Sequence, residues 1–148
     1  MSFKDRKMKV LKFGGTSVGS IENIKKVKEL ITDGEKKIVV LSAMSGTTNI
    51  LVEISESIKL GNQAEALATI DILYKKYNVV IDELFDSSEL KQEVSNYIDF
   101  IFDYLQRLTS ENHNELLYNK IVSQGELLST FMFTKYLIQE GVNARLLP

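Results

Sequence analysis

The stretch of residues 10–41 limits the possible fold of this chain more than any other part of its sequence. A short apolar run at residues 10–13 is ended by two glycines. Residues 21–31 then carry apolar side chains at helical spacing, after Ser20 as a predicted N-cap. Residues 37–41 form a second, continuously apolar run, which predicts a strand buried on both faces of a parallel sheet. Strand, helix and strand in this order predict a right-handed βαβ unit and an α/β fold.

The rest of the chain is predicted to form helices and one further strand. Helical spacing recurs over residues 49–58, over residues 63–108 with a break near residues 86–88, and over residues 125–140. The middle segment is expected to form two antiparallel helices that pack on each other. Their predicted inward faces consist of Leu67, Ile70, Tyr74 and Tyr77 in the first helix and of Leu90, Val94, Ile98, Ile101, Leu105 and Leu108 in the second. Residues 142–147 predict a third strand.

These elements predict a three-layer αβα fold with a mainly parallel sheet and a helical insertion around residues 63–108. Three strands make a thin sheet for such a fold, and the last of them stands at the end of the chain. The sheet is therefore expected to be incomplete in this chain, which we interpret as a piece of a longer protein. If Met8 is the original start, residues 2–7 are an extension to which no structure is assigned.

The composition excludes several classes of function. The chain has 148 residues and no cysteine, so disulfides, thiolate chemistry and cysteine-ligated zinc are excluded. Its 18 basic and 20 acidic side chains give a formal net charge of −2, so we expect no overall attraction to nucleic acid or to an anionic membrane. We expect neither a signal peptide nor a membrane span, and a cytoplasmic location.

Residues 12–17 have the chemistry of a phosphate-binding loop. The segment reads Lys12, Phe13, Gly14, Gly15, Thr16 and Ser17. Glycines let backbone N–H groups approach an anion closely, and the N-terminus of the helix that follows adds partial positive charge. Lys12, on the strand before the turn, would place its ammonium against a phosphoryl group. The spacing matches neither a Walker A loop nor a dinucleotide fingerprint. The alternative is a glycine turn beside a surface lysine.

Residues 42–48 offer hydroxyl groups where the second strand ends. Ligands of open parallel sheets bind outside the carboxyl ends of the strands. Four hydroxyl side chains and Gly46 suit a carboxylate or a phosphate oxygen, and the hydroxyls belong to Ser42, Ser45, Thr47 and Thr48. The alternative is that Thr47 or Thr48 only caps the helix that follows.

The third candidate segment is the start of the last predicted helix. Ser123 and Glu126 have the spacing of a capping box. The functional alternative is that the Glu126 carboxylate binds an amine. The only histidine, His113, lies in a polar stretch and is interpreted as a solvated loop residue, so no metal ligand is predicted.

Together these segments resemble the signature segments of the aspartate kinases, which belong to the amino-acid kinase superfamily. The three segments, residues 10–18, 39–49 and 123–130, stand in the family's order and span nearly the whole chain. The resemblance implies that residues 1–148 are the N-terminal part of an amino-acid kinase catalytic domain. The remainder of that domain, and the ACT regulatory domains, would lie outside this chain.

The resemblance also implies an activity: ATP-dependent phosphorylation of the side-chain carboxylate of L-aspartate to 4-phospho-L-aspartate. This reaction is the first step of lysine, threonine and methionine biosynthesis. ATP and Mg²⁺ are the implied cofactors, and a homo-oligomer is expected for the full-length protein. The isolated chain is expected to have little or no activity, because most of the nucleotide pocket would come from the later part of the domain.

The site residues follow from the resemblance position by position. Lys12 matches the catalytic lysine that stabilises the transferring phosphoryl group, and residues 12–17 match the loop around the ATP phosphates. Ser42 and Thr48 match positions at the substrate, and Glu126 matches the acidic residue that binds aspartate through its α-amino group.

Two other functions stay open. One is another amino-acid kinase, such as a glutamate or uridylate kinase. The other is a non-catalytic module that binds a small anion, or binds a partner through a helical face. The first segment and the Gly125-Glu126 pair favour aspartate.

Overall fold

The computed structural model describes residues 8–147 of the chain, in which two strands and six helices follow one another. The elements are β1 (Lys9–Phe13), α1 (Ile21–Ile31), β2 (Lys37–Leu41), α2 (Thr47–Lys59), α3 (Gln63–Leu84), α4 (Ser88–Leu108), α5 (Glu115–Val122) and α6 (Gln124–Gln139). The two strands pair in parallel, with Lys12 beside Val40 and Phe13 beside Leu41. The predicted α/β fold with a parallel sheet and helices at residues 63–108 is therefore confirmed. The expectation for residues 2–7 lies outside the described residues.

Helix α1 begins and ends as its sequence predicts. The Ser20 hydroxyl accepts a hydrogen bond of 3.2 Å from the backbone N–H of Asn23, which satisfies one of the free N–H groups of the first turn. Ile24, Val27 and Ile31 are the buried side chains of this helix. The helix thus carries one apolar stripe on an otherwise charged surface, and that stripe holds it against the core.

The sheet is covered on only one face by the residues that the structure describes. Its core-facing side chains are Leu11, Phe13, Val39 and Leu41. On the other face Val10 is 62% exposed and Val40 is 44% exposed. The prediction that β2 is buried on both faces is therefore wrong within residues 8–147, because the described helices leave this second face open. Lys12 lies on this open face, beside Val40.

Helices α3 and α4 form the predicted antiparallel pair. Gln63, at the start of α3, donates hydrogen bonds to Thr109 and Ser110, just after the end of α4. The Tyr74 hydroxyl, further along α3, donates to Asp99 at 2.7 Å. The predicted inward face of α4 is confirmed, since Val94, Ile98, Ile101, Leu105 and Leu108 are buried and Leu90 is partly buried.

The predicted inward face of α3 is wrong at Leu67, which is 39% exposed. The residues buried instead include the small side chains Ala66 and Thr69. Helix α3 packs against both α2 and α4, so its buried surface is wider than a single apolar stripe. Small residues in this wider surface let the helices approach closely, and the apolar spacing alone did not identify them.

Two further elements differ from the sequence predictions. Helix α5 was not predicted, because only Leu117 and Ile121 are buried along its eight residues and so short a pattern gives little periodic signal. The strand predicted at residues 142–147 is wrong in this structure. These residues lie along an open groove of about 660 Å³ beside β2 and α6 and are not paired with β2 as a strand.

The loop that follows β2 is held on both sides by close contacts between Ala43 and a glycine. A Cβ atom added at Gly15 would lie 2.8 Å from the carbonyl oxygen of Ala43, and one added at Gly125 would lie 2.8 Å from the Ala43 Cβ. We call this contact of Gly15, Ala43 and Gly125 the Ala43 junction. The Ser42 N–H donates to the Phe13 carbonyl at 3.0 Å. The Ser129 hydroxyl donates to the Ser42 carbonyl at 2.8 Å.

The start of α2 is held to α3 by a buried polar pair. Thr47 and Tyr77 are both fully buried, and their hydroxyls share a hydrogen bond of 3.2 Å. Burial raises the pKa of Tyr77 to about 12, although the bond to Thr47 opposes this shift. The fold therefore stabilises the protonated phenol at this position.

Adding one methyl group at Gly125 should destabilise the fold. The Gly125→Ala side chain would meet the Ala43 Cβ, and the clash should lower the free energy of unfolding by about 1–3 kcal/mol, less any gain in helix propensity. Chemical denaturation of both proteins measures the difference. Gly14→Ala is the matched control, because no atom lies within 4 Å of a Cβ built there. The double change Gly125→Ala with Ala43→Gly should recover part of the loss, and a Gly125→Ala protein as stable as the wild type would contradict the packing described.

The buried Tyr77 phenol should make the fold sensitive to alkaline pH. Because its folded pKa lies above the ordinary value of 10.0, its contribution is complete below pH 10 and is lost as pH rises toward 12. Two pKa units correspond to about 2–3 kcal/mol. Urea denaturation between pH 9 and 12 should show a shallower fall in the free energy of unfolding for Tyr77→Phe than for the wild type. If the free energy of unfolding fell equally steeply with pH in both proteins, the pKa of Tyr77 would not be raised in the folded state.

Candidate functional site

The three candidate segments of the sequence adjoin one another in the structure. Residues 12–17 and 42–48 leave the carboxyl ends of two parallel strands, which lie at the same edge of the sheet. Residues 123–130 include the first turns of α6 and meet the second segment at Gly125 and Ser129. The loop after β2 thus lies between the glycine loop on one side and α6 on the other.

Lys12 differs from the other described lysines of the sheet in having no carboxylate partner. Lys9 pairs with Glu35, and Lys37 pairs with Asp33. Lys12 is exposed and takes part in no ion pair among residues 8–147. Its charge is therefore available to an anion at the end of β1, as the functional interpretation of this segment requires.

The two glycines of the first segment have different surroundings. Gly14 is exposed, with open space where a side chain would stand, so its backbone is accessible to a ligand. Gly15 is closed in by the Ala43 carbonyl, so the absence of a side chain allows this close packing.

Hydrogen bonds also hold the glycine loop. The side-chain amide of Asn23 donates to the Thr16 carbonyl at 2.9 Å and ties the first turn of α1 to this loop. The Ser17 N–H donates to the Gly14 carbonyl at 3.0 Å.

Phe13 serves the core with its side chain, which packs against the buried cluster. Its carbonyl accepts the hydrogen bond from the Ser42 N–H. Phe13 would therefore contribute to ligand binding only by fixing the backbone position of the glycine loop.

Ser42 and Thr48 keep their hydroxyl groups free of protein partners within the described residues. The backbone N–H and carbonyl of Ser42 are both bonded, whereas its side chain is partly exposed. Thr48 is exposed in the first turn of α2. Gly46 is the N-cap of this helix with φ +79°, and no side chain caps it. The alternative that Thr47 or Thr48 only caps the helix is therefore not what the structure shows.

The first turn of α2 also carries no acidic residue. The partial positive charge of a helix N-terminus is usually balanced there by a carboxylate or a bound anion. This end of α2 consequently favours an anion placed near Thr48.

Glu126 does not take part in the capping box that its spacing suggests. Ser123 has helical backbone angles, and its hydroxyl donates to the Lys120 carbonyl at 3.2 Å. The Glu126 side chain is exposed and lines the groove beside β2, which it shares with Val40. The carboxylate is thus free to bind another group. Lys12 and Gly14 are not among the residues that line this groove.

Lys76 is a residue of this region that the sequence analysis missed. It projects from α3, and its ammonium donates to the Ser45 carbonyl at 2.8 Å. Partial burial lowers the pKa of Lys76, because it penalises the charged form. No sequence pattern distinguishes this lysine from its neighbours, since only the packing of α3 beside α2 brings it to the loop.

His113 makes a specific contact with the core, unlike the solvated loop residue that the sequence predicted. Its Nε2 atom shares a hydrogen bond of 3.0 Å with the hydroxyl of Ser55, which is fully buried in α2. The ring ties the segment before α5 to α2. No group of three or more histidine, aspartate or glutamate side chains able to hold a metal ion occurs among residues 8–147.

None of the helices formed by residues 8–147 combines the length and the apolar character that crossing a membrane requires.

A family model, relatives by sequence and a solved structure all match this chain, and all three matches are to amino-acid kinases. The family model described as "Amino acid kinase family" matches residues 7–148. The chain is 29% identical over 137 residues to lysine-sensitive aspartokinase 3 of Escherichia coli (strain K12), covering 92% of this chain and 30% of that protein. It is 34% identical over 116 residues to the aspartokinase of Rickettsia bellii (strain RML369-C), covering 76% of this chain and 28% of that protein.

The fold agrees with a solved structure over the same region. The crystal structure of E. coli aspartokinase III in complex with aspartate and ADP superposes with a TM-score of 0.72 at 28% identity, covering 94% of this chain and 30% of that chain. The chain spans about 30% of the length of these relatives. The resemblance to the aspartate kinases is confirmed, and the match over nearly every residue shows that the chain belongs to the amino acid kinase family.

Proposed function

We propose that this chain is the N-terminal part of the catalytic domain of an ATP-dependent kinase that phosphorylates the side-chain carboxylate of L-aspartate. The observation that carries this proposal is the convergence of residues 12–17, 42–48 and 123–130 at one edge of the sheet. In the reaction a carboxylate oxygen bonds to the γ-phosphorus of ATP, and the bond from that phosphorus to the bridging oxygen breaks. The products are ADP and 4-phospho-L-aspartate.

The phosphoryl group would lie against the first segment. The exposed Lys12, which has no ion-pair partner among residues 8–147, stabilises the negative charge on the phosphoryl oxygens as they are transferred. The open backbone at Gly14 lets N–H groups approach the ATP phosphates, with Thr16 and Ser17 beside it. Phe13 and Gly15 hold this loop in place through the core and the Ala43 junction.

The amino-acid substrate would lie against the other two segments. L-Aspartate carries two carboxylates and one ammonium. The free hydroxyls of Ser42 and Thr48, at the uncapped start of α2, suit a carboxylate. The free carboxylate of Glu126 suits the α-ammonium. One carboxylate and the ammonium of the substrate thus each meet a protein group of complementary character.

ATP and Mg²⁺ belong to this proposal as substrate and ion. Residues 12–17 are the phosphate loop of this proposal, and we assign no step to a metal held by the described residues, which contain no cluster of metal ligands. Mg²⁺ would accompany the phosphates of ATP, as it does in other phosphoryl-transfer sites. The rest of the catalytic domain, ACT regulatory domains, a homo-oligomeric assembly and a cytoplasmic location complete the proposal for the full-length protein.

The full-length protein should phosphorylate L-aspartate in preference to L-glutamate or uridine monophosphate, and Lys12 should be essential to that activity. A panel of these acceptors with ATP, followed by ADP release, measures the preference. Lys12→Met should lower kcat by about 100- to 1,000-fold with the fold intact, since it removes a charge aimed at the transition state. Lys9→Met on the same strand is the matched control and should keep kcat within a few-fold. Unchanged kcat in Lys12→Met would contradict the role of Lys12, and a full-length protein that phosphorylates none of the acceptors would favour a non-catalytic anion-binding module instead.

The 148-residue chain alone should form little or no 4-phospho-L-aspartate. Phosphoryl transfer depends on positioning and charge stabilisation, and most of the nucleotide pocket is expected to come from the later part of the catalytic domain. A coupled ADP assay with the purified chain, beside the full-length protein as positive control, tests this expectation. Turnover by the chain comparable with that of the full-length protein would contradict it.

A further inference from the structure

Lys76 makes the only described side-chain hydrogen bond to the backbone of Ser45, in the middle of the loop after β2. Its ammonium donates to the Ser45 carbonyl at 2.8 Å, across 31 positions of sequence. A Cβ atom at Gly46 would lie 3.7 Å from the same ammonium. Lys76 therefore contacts the loop just before the N-terminus of α2, on the path from Ser42 to Thr48.

Ion pairing within the described residues does not explain this placement. The neighbouring Lys75 is exposed and pairs with Asp71 at 2.6 Å, as expected of a solvated helix face. Lys76 is partly withdrawn from water, and among residues 8–147 it has no carboxylate within ion-pair distance. Its positive charge also stands near the positive end of α2, where it gains nothing from the helix dipole. The contact with Ser45 is thus what holds the ammonium here.

The loop has different surroundings on the two sides of Ser45. At Ala43 it is enclosed by Gly15 and Gly125. At Gly46 the chain has φ +79° and lacks a side chain, so the local backbone is conformationally permissive. Ser45 stands between these points, with its side chain packed closely against Gly19. A hydrogen bond from Lys76 to the Ser45 carbonyl fixes the orientation of this peptide.

We propose that Lys76 is a positioning residue for the acceptor side of the site. Through the Ser45 carbonyl it sets the separation and orientation of the Ser42 and Thr48 hydroxyls, without touching the substrate itself. This inference rests on the proposed function for its kinetic consequence. Its structural consequence, an ordered loop at residues 42–48, does not depend on which substrate binds.

The experiment compares three variants of the full-length protein. Lys76→Met removes the donor and keeps the length of the side chain, Lys76→Arg keeps a charged donor, and Lys75→Met is the matched control one position away. Amide hydrogen exchange of residues 42–48 is measured without substrates. Values of kcat and KM are then measured with L-aspartate and with ATP.

We expect faster exchange at residues 42–48 in Lys76→Met, and wild-type exchange in Lys75→Met. The KM for L-aspartate should rise by about tenfold in Lys76→Met, in keeping with the loss of a hydrogen bond to a charged group. The KM for ATP and kcat should change less than threefold, roughly, since Lys12 and the glycine loop are untouched. Lys76→Arg should restore most of the aspartate KM.

Wild-type exchange at residues 42–48 in Lys76→Met would overturn the inference whatever the enzyme assay gives. Faster exchange with an unchanged KM for L-aspartate would also overturn it, since Lys76 would then serve the fold alone. A wild-type protein that does not phosphorylate aspartate would overturn the proposed function, while the exchange measurement would still decide whether Lys76 orders the loop.

Discussion

The close backbone contact at the Ala43 junction is the constraint on which the rest of the candidate site depends. Two glycines from distant parts of the chain, Gly15 and Gly125, leave no room for a side chain where they meet Ala43. Because protein interiors are packed at nearly crystalline density, such a contact leaves little freedom in the relative positions of the three segments. The Ser129 and Asn23 side chains donate hydrogen bonds to the same region, so packing and polar contacts together place the glycine loop, the loop after β2 and the start of α6.

This arrangement separates the groups that build the site from the groups that would act in it. The backbone of Ser42 is bonded on both sides, Thr47 is bonded to Tyr77, and Phe13 is in the core. Lys12 and Glu126, in contrast, are exposed and take part in no ion pair in the described part of the chain. No buried side-chain polar atom lacks a partner among the described residues. The exposed side chains of Lys12 and Glu126 therefore cost little stability and remain available to a ligand.

Local sequence patterns predicted an element well wherever a single apolar stripe or a single capping residue determines its position and bounds. Ser20 and the stripe of Ile24, Val27 and Ile31 set the bounds of α1, and the apolar run of β2 was placed correctly. The predictions failed where contacts with elements distant in sequence determine the structure. Leu67 is exposed because α3 packs against two helices, and residues 142–147 are irregular although their sequence favours a strand.

The candidate site shows the same division between local and tertiary information. The residue types of its three segments were evident from the sequence, and their order matched a family. Gly15 is closed in by packing, whereas Gly14 has open space around it. The Gly-Gly pair alone could not predict this difference, because it arises from Ala43, almost thirty positions away in sequence. Lys76 was missed for the same reason, because a lysine on a helix looks solvated until the neighbouring helix is placed.

The most direct test of the proposed site is a crystal structure of the full-length protein with L-aspartate and a non-hydrolysable ATP analogue. We predict that the γ-phosphate lies against the Lys12 ammonium and the Gly14 backbone, and that the amino acid lies between Glu126 and the hydroxyls of Ser42 and Thr48. A structure with both ligands bound away from these residues, or with the Lys12 ammonium turned from the phosphates, would contradict it.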